Sequence, residues 1–215
     1  MQDKENKLEQ YILNHSEPEG NILSELNRKT NLSMLNPRML SGHLQGKILK
    51  MLSNMIKPKY ILEIGTFTGY SAICLASGLK KGGKLHTIDI NDEIAYLAKD
   101  YFKKAKLNNK IVFHIGNAID IIPELNIKFD LVYIDGDKRE YCIYYNSVFQ
   151  YLKKGGFIIA DNVLWNGKVV EKIAENDEQT KGIIKFNDLV HADNRVENVI
   201  FPLRDGLMLL RKIKD

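Results

Sequence analysis

The chain is predicted to fold as an α/β protein: a mostly parallel, seven-stranded sheet with helices on both faces, preceded by a helical cap. Three observations predict it. From residue 60 onward, short β-rich runs alternate with longer amphipathic segments, the pattern of strands joined by crossover helices. The last two runs are instead separated by an Asp-Gly turn signal, which points to a closing antiparallel hairpin. The first 58 residues show helical spacing with no strand run and no flexible linker behind them, so they are read as a cap on the sheet. The chain is one domain in this reading, with residues 1–58 as cap and 59–215 as α/β core.

The elements follow in order. MQDKENKLEQYILNH opens the cap with charged and apolar residues at helical spacing, and Ser16-Glu-Pro-Glu-Gly20 breaks it with a turn. A helix from about Ser41 to Met55 ends before Pro58, whose ring cannot continue it. The parallel strands are YILEIG (60–65), KLHTID (84–89), KIVFHIG (110–116), FDLVYID (129–135) and GFIIADN (156–162). Between them GYSAICLASGL, DEIAYLAKDYFKKAKL and DKREYCIYYNSVFQYL carry apolar residues three and four apart, as helices packed on a sheet do. RVENVIFPL and GLMLLRKI complete the seven strands, on either side of Asp205-Gly206. The architecture is Rossmann-like, a doubly wound sheet whose ligands sit beyond the carboxyl ends of its strands.

Composition agrees. The chain has 215 residues, 44% hydrophobic and 27% charged, and a chain of this length hides roughly 70–75% of its unfolded surface without staples. Cys74 and Cys142 lie in apolar runs with no CxxC spacing and are read as small core residues in a reducing compartment. The net charge of +4 is spread along the chain, unlike the concentrated basic surface with interleaved aromatics that nucleic acid binding requires. No run approaches the ~20 apolar residues of a membrane span, and the N-terminus lacks a signal-peptide core. The expectation is a cytoplasmic protein that binds neither nucleic acid nor membrane.

The first strand ends in Glu63-Ile-Gly65-Thr-Phe-Thr-Gly69-Tyr-Ser, a glycine turn into a helix at the place where such sheets bind nucleotides. The dinucleotide fingerprint needs a third glycine to admit a pyrophosphate; its lack here suits a cofactor without phosphate. Asp89 closes the second strand twenty residues beyond Gly69, where a carboxylate accepts hydrogen bonds from both ribose hydroxyls. GNAID (116–120), after the third strand, adds a loop for the adenine. Together they favour S-adenosylmethionine; a tight turn with Asp89 as a helix cap is the plainer alternative.

Asp135 ends the fourth strand, and Asp161 with Asn162 ends the fifth. One helix and a return separate them, so adjacent parallel strands would hold these side chains around one ion. Oxygen ligands without His or Cys select a hard divalent cation, Mg²⁺ first, with Mn²⁺ or Ca²⁺ acceptable. Helix capping competes for each Asp alone. Asp137 is a cap candidate, and Lys138 is either a solvent-directed lysine of the first helical turn or a base beside the metal.

These residues resemble the cation-dependent class I O-methyltransferases, the family of caffeoyl-CoA and catechol O-methyltransferases. The likeness covers nearly the whole chain: MLSGHLQGKIL (39–49), EIGTFTGYSA (63–72), IDGDKREY (134–141), ADNVLWNGKV (160–169) and PLRDGLMLLRKI (202–213). It implies metal ligands at Asp135, Asp161 and Asn162 and a base at Lys138. It also implies cofactor contacts at Met39, Ser41, Glu63, Gly65, Ser71, Asp89 and Ala118, with Asp135 beside the methionine moiety. A homodimer acting on a small phenolic acceptor such as a catechol or caffeoyl compound is implied as well, while His43, Leu44 and Trp165 carry no acceptor signature. Three rivals differ in class. An NAD dehydrogenase leaves the oxygen set idle, an RNA methyltransferase needs a basic groove with stacking aromatics, and a non-catalytic cofactor-binding module needs broken site positions.

Overall fold

The computed structural model describes residues 2–215, so Met1 lies outside the described residues. Two helices, α1 (Gln2–Asn14) and α2 (Asn21–Ser33), a short 3-10 turn at Pro37–Met39 and α3 (Gly42–Ile56) form the N-terminal segment. The α/β alternation then runs β1 (Tyr60–Ile64), α4 (Tyr70–Ala76), β2 (Lys84–Asp89), α5 (Ala95–Lys104), β3 (Ile111–Ile115), α6 (Ala118–Leu125), β4 (Phe129–Ile134), α7 (Tyr141–Phe149), β5 (Leu152–Asp161), α8 (Glu178–Ala192), β6 (Val196–Phe201) and β7 (Leu207–Lys212). Sheet order is β3-β2-β1-β4-β5-β7-β6. The first five strands pair in parallel and β7 pairs antiparallel with both β5 and β6. No helix among the described residues is long and apolar enough to cross a membrane.

Strand periodicity assigns the core. Leu62 and Ile64 of β1, Val132 and Ile134 of β4, and Ile158 and Ala160 of β5 join the cluster under α6, α7 and α8. The alternating Ile61, Leu131, Tyr133 and Ile159 join the cluster under α3, α4 and α5. Burial on both faces is why these strands read as nearly continuous apolar runs. The aromatic helix α7 belongs to the interior: Tyr141 and Tyr145 meet the buried Phe186 of α8 edge-on at centroid distances of 5.3 and 6.2 Å, contacts worth about 0.5–1.5 kcal/mol each beyond their area.

Three details differ from the sequence reading. Strand β5 begins at Leu152, four residues earlier than expected, because Phe129 N–H already pairs with Tyr151 O at 2.8 Å. Helices α6 and α8 were not expected as separate elements; α6 is short and contains Pro123 near its end, two residues before the helix stops at Leu125. The β6–β7 hairpin closes through five residues, 202–206, rather than a two-residue Asp-Gly turn. Pro202 lacks the N–H a ladder needs, and Val163 and Leu164 donate to Gly206 O and Asp205 O at 3.1 and 2.7 Å. The loop is thereby tied to the segment after β5.

Helix α3 crosses α4 at close range. Ser53 Oγ donates to Leu75 O at 2.6 Å, and a Cβ on Gly78 would overlap the Ser53 backbone. Gly78→Ala is expected to cost roughly 1–3 kcal/mol through overpacking, read as a lower urea midpoint at unchanged slope.

Candidate active site

A cavity of about 840 Å³ opens beyond the carboxyl ends of β1, β2, β4 and β5. The loop after β1 forms its floor. Gly65 adopts φ +99°, and a Cβ there would strike the carbonyl of Asp135, so glycine at this position is what lets the β1 and β4 tips approach. Gly69, at φ +88°, starts α4 with its Cα against the Phe102 ring. Asp89 lines the cavity while accepting Phe67 N–H at 2.7 Å and Asn91 N–H at 3.0 Å, which fixes its carboxylate at the end of β2. Met39, Ser41 and Ala118 also line the cavity. Asn117 lines it too, and its side chain caps α6 by accepting Ile119 N–H.

Two expected cofactor residues stand elsewhere. Ser71 lines a small adjoining void with Gly65 and Asp135. Glu63 is fully buried behind the cavity wall, where Thr87 Oγ1 donates to Oε2 at 2.6 Å and Oε1 has no partner. Burial pushes its carboxyl up to about 8, hydrogen bonds from Ser71 and Thr87 oppose this, and the negative Asp135 and Asp89 add to it.

The acidic end is built by β4 and β5. Their parallel register pairs Ile134 with Ala160, so Asp135 and Asp161 follow side by side, and Asn162 comes next at φ +58°. All three line the cavity with Lys138. Lys138 does not extend into solvent: it is 7% exposed. Its Nζ donates to Asp135 Oδ1 at 2.8 Å and to the Tyr141 hydroxyl at 2.6 Å. The Tyr141 hydroxyl donates to Asp161 O at 3.0 Å, and burial with the nearby Asp135 and Asp161 holds the phenol neutral, far above its ordinary range. Asp135 is pushed up to about 6, mainly by burial, with Lys138 opposing and Asp161 adding to the shift. Asp137 is the cap: its carboxylate accepts Arg139 N–H at 3.0 Å.

Among the described residues no group of three or more His, Cys, Asp and Glu side chains is placed to hold a metal; the set here is two carboxylates and one amide. Sequence reasoning missed Gln45 and Tyr133, which donate to Asp161, and Arg204, which donates to Gln45. Gln45 had a signal: it shares the buried face of α3 with Leu49 and Ser53, at helical spacing. Arg38, Glu140, Trp165 and Gln179 form the outer wall.

Residues 13–213 match the family model described as O-methyltransferase. The chain belongs to that family. It is similar to caffeoyl-CoA O-methyltransferase 2 of Populus trichocarpa, 34% identical over 96% of this chain and 89% of the relative, and to the caffeoyl-CoA O-methyltransferase of Eucalyptus gunnii, 35% identical over 96% and 88%. Among solved structures, the O-methyltransferase from Bacillus cereus in complex with SAH superposes with a TM-score of 0.89 at 30% identity, covering 96% of this chain and 97% of that one. TomG of Streptomyces achromogenes, involved in tomaymycin synthesis and solved with SAM, gives 0.89 at 26% identity, covering 96% of each chain. This O-methyltransferase is therefore a class I, S-adenosylmethionine-dependent enzyme that resembles the caffeoyl-CoA O-methyltransferases.

Two outcomes are expected. Gly65→Ala should raise the dissociation constant for S-adenosylhomocysteine at least ~10-fold by calorimetry, since both strand tips must move apart. For Glu63, the folded carboxyl keeps its proton to about 8 whereas the unfolded one ionises near 4.5. The stability it contributes is full below 4.5 and lost as pH rises through 8. Glu63→Gln should therefore gain in melting temperature over the parent as pH goes from 5 to 8.5, and a constant difference would contradict that.

Proposed function

We propose that this O-methyltransferase transfers the methyl group of S-adenosylmethionine to one hydroxyl of a phenolic acceptor bearing vicinal hydroxyls, with the help of a divalent cation. The reading is carried by one observation: two adjacent strand tips bring Asp135, Asp161 and Asn162 to the wall that Lys138 also lines. The donor chemistry fits a hard ion, because the three side chains offer only oxygen, and Mg²⁺, Mn²⁺ and Ca²⁺ prefer it. Asp135, Asp161 and Asn162 would hold the cation, which supplies charge stabilisation to an ionised acceptor oxygen.

The protein's own tasks are positioning and proton removal. A phenol with a pKa of about 10 is ionised to roughly one part in a thousand at neutral pH, so the attacking hydroxyl must lose its proton in the site. Lys138, in its neutral amine form, would accept that proton, with the Tyr141 hydroxyl and the Asp135 carboxylate holding its nitrogen at the acidic end. Met39, Ser41, Gly65, Asp89, Ala118 and Asp135, which line the cavity, would contact the cofactor, Asp89 at the ribose hydroxyls, Ala118 at the adenine end and the β1 loop at the methionine end, while Glu63 and Ser71 would support that loop from behind the wall and from the adjoining void. Transfer is an in-line displacement on the methyl carbon, so alignment matters more than any covalent step. Trp165, whose ring centroid lies 6.0 Å from Lys138 Nζ, offers an aromatic acceptor a flat wall. The proposal includes a cytoplasmic location and a homodimer, the dimer being supported by the exposed apolar side chains of Leu32 and Leu35 within the cap.

The test is a methylation screen over catechol, caffeate, caffeoyl-CoA and a monophenol. Activity on vicinal hydroxyls should vanish in EDTA and return with Mg²⁺; full turnover under rigorous chelation would refute the cation. Lys138→Met should lower kcat at least ~100-fold while leaving S-adenosylhomocysteine affinity within about twofold, and unchanged kcat removes the lysine from the mechanism.

A further inference from the structure

Gln45 reaches the strand-tip carboxylate from behind. Its Nε2 donates to Asp161 Oδ2, which also accepts the Tyr133 hydroxyl at 2.9 Å. Asp161 Oδ1 takes the Asn162 N–H at 2.7 Å. Neither Gln45 nor Tyr133 lines the cavity, and Gln45 is 1% exposed. An amide can present either of its ends to a neighbour, and here Arg204 decides. A guanidinium only donates, and its Nη1 lies 3.2 Å from Gln45 Oε1. The oxygen end is thereby committed to Arg204 and the NH₂ end to Asp161. Arg204 is held in turn by the carbonyls of Leu40 and Ser41 and sits at φ +49° in the β6–β7 loop. Three distant stretches of chain thus converge on one carboxylate.

We infer that Gln45 is a positioning residue for Asp161, with its amide aimed by Arg204, and that this pair sets how tightly the strand-tip oxygens take a divalent cation. The inference rests on the cation-dependent reading given above. A neutral amide orients the carboxylate without cancelling its charge, whereas a lysine in its place would neutralise Asp161 and repel the cation. Partners of this kind behind a ligand alter metal affinity about 10–100-fold when removed.

The experiment uses the full chain without acceptor. Mn²⁺ is titrated and its free form followed by electron paramagnetic resonance, and S-adenosylhomocysteine affinity is measured on the same samples. Gln45→Met should raise the Mn²⁺ dissociation constant about 10-fold or more, with S-adenosylhomocysteine affinity within about twofold. Arg204→Met should also weaken Mn²⁺ binding, and the double variant should bind it no worse than Gln45→Met alone, since residues acting through one contact are not additive. Should Gln45→Met fail to bind S-adenosylhomocysteine, and so have lost its fold, Arg204→Met carries the test, and parent-like Mn²⁺ affinity there overturns the inference. If the parent binds Mn²⁺, Asp161→Ala loses it and Gln45→Met keeps it, the inference alone fails. If the parent binds none, or Asp161→Ala binds as well as the parent, the cation reading falls and takes the inference with it.

Discussion

The parallel pairing of β4 with β5 is the constraint on which the rest of the molecule depends. Because Ile134 stands opposite Ala160, the next residues of each strand emerge together at the carboxyl edge, and these are Asp135 and Asp161. A shift of one residue would exchange the faces of a whole strand. The register is held by both cores at once, through Val132, Ile134 and Ile158 on one face and Leu131, Tyr133 and Ile159 on the other. The hydrophobic interior therefore fixes the placement of the acidic groups to within one strand spacing.

Crowding carboxylates in a half-enclosed cavity is costly unless positive charge or donors meet them. This protein meets them with few groups. Lys138 faces Asp135, the Tyr141 hydroxyl links Lys138 to the β5 backbone, and Gln45 and Tyr133 face Asp161. Among the described residues one full positive charge, that of Lys138, stands in direct contact with this pair of carboxylates, so the end of the cavity keeps a negative character, as the proposed cation would require. Gly65 makes the arrangement possible from below, by leaving room for the Asp135 carbonyl.

The N-terminal segment is part of the site rather than an appendage. Met39 and Ser41 line the cavity, α3 packs on α4 through Ser53 and Gly78, and Gln45 projects from α3 to the β5 tip. The β6–β7 loop completes the link through Arg204. A cap that merely shielded the sheet would not need the polar contacts of Gln45, whose partners Asp161 and Arg204 lie more than a hundred residues away along the chain.

Much of this was legible in the residues alone. Strand and helix alternation, the glycine turn at Gly65 and Gly69, and the acidic tips at Asp135 and Asp161 each have a local signature, because periodicity, positive φ and strand-end position are properties of short segments. Neighbouring strand positions for the two tips followed from chain length between them. The residues alone left Lys138 open between a solvated lysine of the first helical turn and a base beside the acidic tips, and only the buried tyrosine and aspartate around it decide for the inward position. The five-residue hairpin loop, the setting of Glu63 behind the wall and the meeting of Gln45 with Arg204 were equally closed to inspection. Sequence determines what each segment prefers; only packing decides which distant polar groups must satisfy one another once water has been excluded.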